Sequence, residues 1–166
     1  MRPVFILISR LCLSGILAAQ APIQAVQWTA STDVREQIRK GSSLTIDIAG
    51  KVLEGWHVYG LAQEPDGPTP LRITLDENVT AEVRGAVSGA EPIKRKDPSF
   101  NLETQIYEKD LALHLPIRIK PSADAGKQSI PVSVRFQACN DRICLPPRTV
   151  HLSAPIEIGS SSDVKP

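Results

Sequence analysis

The 166-residue chain sets 19 Lys and Arg against 18 Asp and Glu, with only 4% aromatic residues and three cysteines. Charge this close to balance leaves no basic excess for nucleic acid or an anionic membrane. The length suits one domain with a sizeable core.

Residues 1–25 read as a secretory signal peptide. Arg2 supplies the positive start, Val4 to Ile8 and Leu11 to Ala19 the apolar stretch, and Ala19, Ala21 and Ala25 the small cleavage-site residues. Arg10 interrupts the apolar run, against a spanning helix of about 20 apolar residues. Pro22 disfavours cleavage after Ala21, which leaves the bond after Ala25 or Ala19. Lipid attachment at Cys12 is disfavoured because Leu11 is too large for the usual lipobox. Removal of the signal takes Arg2 and Arg10, lowering Lys and Arg from 19 to 17 against 18 acidic residues. It also leaves two cysteines, an even number in an exported, disulfide-permissive setting. No later segment is long and apolar enough to span a membrane, so a soluble exported product is expected; a monomer is expected as well.

In chain order, Gln27 to Ser31 is a short candidate strand, and Asp33 to Lys40 is the one place where a helical turn is expected. Leu44, Ile46 and Ile48 then alternate with polar residues. Trp56 to Tyr59, Leu71 to Leu75 and Val79 to Arg84 are further short candidates. Alternation returns in Leu111 to Ile119, in Val132 to Phe136 and in Val150 to Ile158. Each such run describes a strand with one face buried and one wet. Breakers separate them at Pro65 to Pro68, Asp76 to Asn78, Lys96 to Pro98 and Pro121 to Gly126. Roughly seven to nine short strands at this spacing predict an all-β, immunoglobulin-like antiparallel sandwich over residues 26–158. Residues 159–166 are polar and expected to be disordered.

Cys139 and Cys144 fall in one short stretch, Phe136-Gln137-Ala138-Cys139-Asn140-Asp141-Arg142-Ile143-Cys144-Leu145-Pro146-Pro147. A disulfide closing this six-residue loop returns only about 2 kcal/mol of chain entropy. A sandwich of this size hardly needs so short a staple, and a small exposed bond is the kind that exchanges readily. Chemistry alone leaves a structural bridge and a redox pair both open. Arg142 favours a thiolate and Asp141 opposes it. Zinc would need two ligands beyond the cysteines, and His57, His114 and His151 show no matching spacing. His114 and His151 fall on wet strand faces, so no metal is expected. Trp56 or Tyr59 in Gly55-Trp56-His57-Val58-Tyr59-Gly60 reads as core filling. Phe100, by contrast, lies in the polar loop Asp97-Pro98-Ser99-Phe100-Asn101, where it is either a plug or a cover. No ordered catalytic triad or phosphate loop is present.

Four segments together resemble a known family: Glu54 to Tyr59, Asp97 to Phe100, Ile106-Tyr107-Glu108, and Phe136 to Pro147. In this order and spacing they are similar to the N-terminal periplasmic domain of the DsbD-type thiol:disulfide interchange reductases, over roughly residues 27–158. The resemblance implies an immunoglobulin-like, cofactor-free oxidoreductase domain that relays reducing equivalents through one cysteine pair to or from thioredoxin-fold partners. Cys144 matches the cysteine that forms mixed disulfides, and Cys139 the resolving one. Phe100 and Asp97 match the family's cap loop, which shields the pair. His57 and Tyr59 match aromatic positions against the active site. There are departures: four residues separate the cysteines where the family pattern has five, and the cap loop is one residue longer. The family's membrane and C-terminal thioredoxin-like domains have no counterpart in these residues. The competing expectation is a secreted, non-enzymatic interaction domain with a structural disulfide.

Overall fold

The computed structural model describes residues 23–34 and 36–160. The expected signal peptide therefore lies almost wholly outside the described residues, as does most of the expected tail, residues 161–166. Ala25 is already buried, and its carbonyl accepts from the Leu53 amide at 2.9 Å.

Twelve antiparallel strands carry the described residues. One sheet runs β1 (Val26–Thr32), β2 (Ser43–Val52), β9 (Leu111–Ile119), β5 (Ala81–Val83), with β6 (Ser88–Gly89) also on β9. A second runs β12 (Arg148–Ile158), β10 (Gly126–Phe136), β4 (Arg72–Leu75). A third, smaller sheet runs β11 (Ala138–Cys139), β3 (His57–Tyr59), β8 (Leu102–Tyr107), β7 (Ile93–Asp97). The architecture is the all-β, immunoglobulin-like sandwich that the alternation predicts.

The period-two runs supply the core. Ile46 and Ile48 of β2 and Leu113, Leu115, Ile117 and Ile119 of β9 are buried in one cluster with Ile130, Val132 and Val134 of β10 and Ala154, Ile156 and Ile158 of β12. Each large aliphatic side chain so buried stabilises the fold by roughly 1.5–3 kcal/mol relative to exposure. Trp28 and Phe136 close one end with ring centroids 5.5 Å apart. Gly50 sits under that indole: a Cβ there would lie 2.7 Å from Trp28 Cζ3.

Two expectations change: the helical turn is not found, and the described residues hold twelve strands where seven to nine are expected. Residues 33–40 form no helical turn among those described; instead Ile38 bridges Ile158 in parallel, its amide donating to Glu157 O at 2.9 Å. A buried apolar side chain and two backbone bonds to the β12 end outweigh local propensity in so short a segment. The hairpin β7–β8 also escapes the alternation. Ile93 to Lys96 are all exposed, and the inward positions include Asp97 and Thr104.

Candidate redox-active site

β10 ends at Phe136, and the chain steps directly into β11, whose Cys139 faces His57 across the pair with β3. The residues between the cysteines fold themselves. Asn140 Oδ1 accepts from the Arg142 and Ile143 amides at 2.9 and 2.8 Å, while Asn140 N donates to Ile143 O at 2.9 Å. Asn is suited to this, because its short side chain replaces backbone partners within a turn. Leu145 N then donates to Ala138 O at 2.9 Å, and Cys144 returns opposite Cys139. The two are joined in a disulfide with Cα atoms 4.1 Å apart. The sulfurs are not equivalent: Cys139 is 1% exposed, whereas Cys144 is only half-buried at the outer end of the turn. Pro146 and Pro147 follow, both exposed.

Beneath the pair, Tyr59 and Ile106 form a small apolar cluster with Cys139, separate from the main core, and Phe100 and Cys144 pack on it. Alternation along β3 decides which side chains arrive there. Val58 turns into the main core while Tyr59 lies under the sulfurs. The Tyr59 hydroxyl is 3.2 Å from Cys139 Sγ and 4.0 Å from Cys144 Sγ, and it donates to Asp97 Oδ2 at 2.7 Å. Buried His57 stands edge-on to Tyr59 with ring centroids 5.3 Å apart, and its Nε2 has no hydrogen-bond partner.

The tip of the β7–β8 hairpin covers this floor. Asp97 is 2% exposed, yet it is held on both oxygens. Oδ1 accepts from the Ser99 and Phe100 amides at 2.8 and 3.3 Å, and Oδ2 accepts from Tyr59. Those bonds shape the turn, which Asn101 completes at φ 54°, a conformation Asn tolerates. Phe100 is thereby set edge-on to Tyr59, centroids 5.9 Å apart, against the sulfur-bearing cluster. The Ser99 hydroxyl lies 4.0 Å from Cys144 Sγ.

Electrostatics follow from burial. It pushes the Tyr59 phenol well above its ordinary value, reinforced by the Asp97 carboxylate. Burial, with Arg95 second, holds His57 below its ordinary value, against the opposing pull of Asp97, Glu108 and Asp141. At neutral pH the floor therefore carries a neutral phenol and a neutral imidazole.

The structure thus brings together Cys139, Cys144, Tyr59, His57, Asp97 and Phe100. Trp56 belongs instead to the main core. Asp97's threefold acceptor role and the turn-forming Asn140 are features of the candidate site that residue typing missed. Asn140 carried a usable signal, an Asn directly after the strand-ending cysteine. His114 meets Asp47 at 2.7 Å and His151 meets Ser133 at 2.8 Å, both at the surface. No group of three or more His, Cys, Asp or Glu side chains converges as a metal site among the described residues. No described helix is long and apolar enough to cross a membrane.

No curated protein sequence matches the chain. Among solved structures, a family 123 glycoside hydrolase from Clostridium perfringens is similar over 81% of this chain and 28% of that one, at 9% identity and a TM-score of 0.36. That likeness is too low to bear on function. The family model for the N-terminal region of the thiol:disulfide interchange protein DsbD matches residues 24–154. With the match spanning most of the chain and including both cysteines, the protein belongs to the family of DsbD N-terminal domains.

Proposed function

We propose that the domain is a periplasmic relay that passes reducing equivalents through Cys139 and Cys144 between thioredoxin-fold proteins. The observation that carries this reading is the asymmetry of the pair. Cys139 is buried against Tyr59, whereas Cys144 stands at the turn as a half-buried residue. Exchange requires in-line attack by a thiolate on a sulfur, so the accessible atom is the one a partner reaches.

In the direction of disulfide reduction, a partner thiolate attacks Cys144 Sγ. The bond between Cys144 and Cys139 breaks, and the electron pair leaves on Cys139. The partner's second thiolate then attacks its own first sulfur and releases Cys144, so the partner is oxidised by two electrons and the pair reduced by two. Run backwards, reduced Cys144 attacks a partner disulfide and Cys139 resolves the mixed intermediate. Phe100 restricts approach until a partner surface displaces the β7–β8 tip, which gives the exchange its selectivity.

Trapping tests the assignment. Cys139→Ser should accumulate a mixed disulfide between Cys144 and a thioredoxin-fold protein in periplasmic extracts, whereas Cys144→Ser should not. No adduct with either variant, together with a reduction potential below about −300 mV, would identify an inert structural bridge in an interaction domain instead.

A further inference from the structure

The relay leaves one buried titratable group unused. His57 Nε2 is enclosed without a hydrogen-bond partner, 3.9 Å from Asp97 Oδ2. That same oxygen receives the Tyr59 hydroxyl, which is 3.2 Å from Cys139 Sγ. Across the strand pair, His57 is also the residue directly opposite Cys139. An imidazole, a carboxylate, a phenol and a sulfur therefore stand in sequence, with one gap, the 3.9 Å between the first two, which is about 0.7 Å beyond hydrogen-bond reach.

Opening the disulfide creates a problem at this place. Attack on Cys144 leaves a thiolate on Cys139, a 1%-exposed sulfur whose nearest proton donor is already committed to a carboxylate. An unpaired anion there is strongly disfavoured, and a phenol held above its ordinary pKa is a hydrogen-bond donor but a poor acid. We propose, resting on the relay reading, that His57 is the proton reservoir of the pair. It takes up one proton as the disulfide opens and returns it as the disulfide closes.

The balance is simple. The partner thiol loses its proton to become the attacking thiolate, and that proton ends on His57. The new bond joins the partner sulfur to Cys144, the old bond breaks, and the electron pair stays on Cys139. Tyr59 turns its hydrogen towards the Cys139 thiolate, and the imidazolium closes the gap to Asp97 Oδ2 in the place the phenol gave up. The site gains one negative and one positive charge, so its net charge, set by the Asp97 carboxylate, is unchanged. His57 acts through Asp97 and Tyr59, so it is a positioning and proton-holding residue and never touches the reacting sulfurs. The charged groups acting on it are Arg95 and Asp97 of β7, Glu108 just past β8, and Asp141 of the cysteine turn. Among these, Arg95 is engaged by Glu108, which leaves Asp97 the nearest acceptor for an imidazolium.

The test compares His57 ring signals by proton–carbon NMR in the oxidised chain and in the chain reduced with dithiothreitol, across about pH 5 to 9, with His114 and His151 as internal references. The expected result is a His57 pKa at least about one unit higher in the dithiol form, a tenfold change in proton affinity. Equal titration in both forms overturns the proposal. Reciprocity supplies a second measurement. In Cys144→Ser the lone Cys139 thiolate is followed by its ultraviolet absorbance, and adding His57→Phe should cut the thiolate fraction near neutral pH about tenfold. An unchanged thiolate titration would also overturn it. Failure of the relay reads differently: the His57 shift would persist on reduction by dithiothreitol while no thioredoxin-fold dithiol exchanged with the pair.

Discussion

Tyr59 and Asp97 are joined by a 2.7 Å hydrogen bond that ties the floor of the cysteine site to the hairpin lying over it. Tyr59→Phe keeps the ring contacts and removes that tie, leaving a buried carboxylate oxygen short of its donor. A loss of about 1–3 kcal/mol in unfolding free energy is expected, checked by urea denaturation of the oxidised protein. Reduction by dithiothreitol should accelerate as the hairpin tip loosens, and an unchanged rate would separate the tie from the cover.

Phe100→Ala tests the cover itself. The ring is half-buried and packs edge-on to Tyr59 in the cluster that holds Cys139, outside the main core. Stability should therefore change little. Loss of about 1.4 kcal/mol of shielding corresponds to a tenfold faster reduction by a small thiol. The stopped reaction, sampled by alkylation and mass, gives that rate directly.

The unequal burial of the two sulfurs predicts the order in which they are modified. In the reduced protein, iodoacetamide should label Cys144 before Cys139, with an excess of about tenfold or more under limiting reagent. Peptide mapping of the singly labelled species reads the ratio. Preferential labelling of Cys139 would reverse the assigned roles.

Removing the disulfide should be mild. The bond closes a loop of sequence separation 5, apart from the main aliphatic core. Cys139→Ala with Cys144→Ala should cost about 2 kcal/mol by the chain-entropy estimate and leave the far-ultraviolet dichroism of the sandwich intact. Wholesale unfolding would mean that the pair supports the fold and not an exchange.

Stability of the oxidised protein should depend on pH through His57. Its folded pKa lies below the ordinary 6.5, so the unfolded chain binds the proton more readily. Full stability holds above about pH 6.5 and is lost as pH falls below it, until the folded imidazole also protonates. Denaturant midpoints between about pH 4.5 and 8 should fall more steeply for the wild type than for His57→Phe. At the alkaline end, Tyr59 and Tyr107 both resist ionisation in the folded protein, so stability should decline above about pH 10.

The sandwich was legible because β2, β9, β10 and β12 bury one face each, and apolar residues at alternate positions record that directly. β7 could not be read this way. It is an edge strand whose four leading residues face water, as Lys94, Arg95 and Lys96 declare, and its one buried side chain is the carboxylate of Asp97. Phe100 stood out for the opposite reason, as an aromatic side chain without a periodic place. What no pattern carried was Asp97 holding two amides and a phenol at once, since the phenol comes from a strand 38 positions away. The place of His57 at the site entered through family resemblance, and only the geometry shows that its Nε2 is left unpartnered.

Pro146 and Pro147 have a consequence for release. They follow Cys144 at the outer edge of the four-stranded sheet, and neither has an amide hydrogen to offer a neighbouring strand. Leu145, the residue before them, has already spent its amide on Ala138. On the proposed relay, a docking protein would find no amide ladder to extend along that segment, and would hold on by side chains and one transient sulfur–sulfur bond. Once that bond were resolved, little backbone grip would remain on this side of the site, and such a partner would depart at the speed of the chemistry.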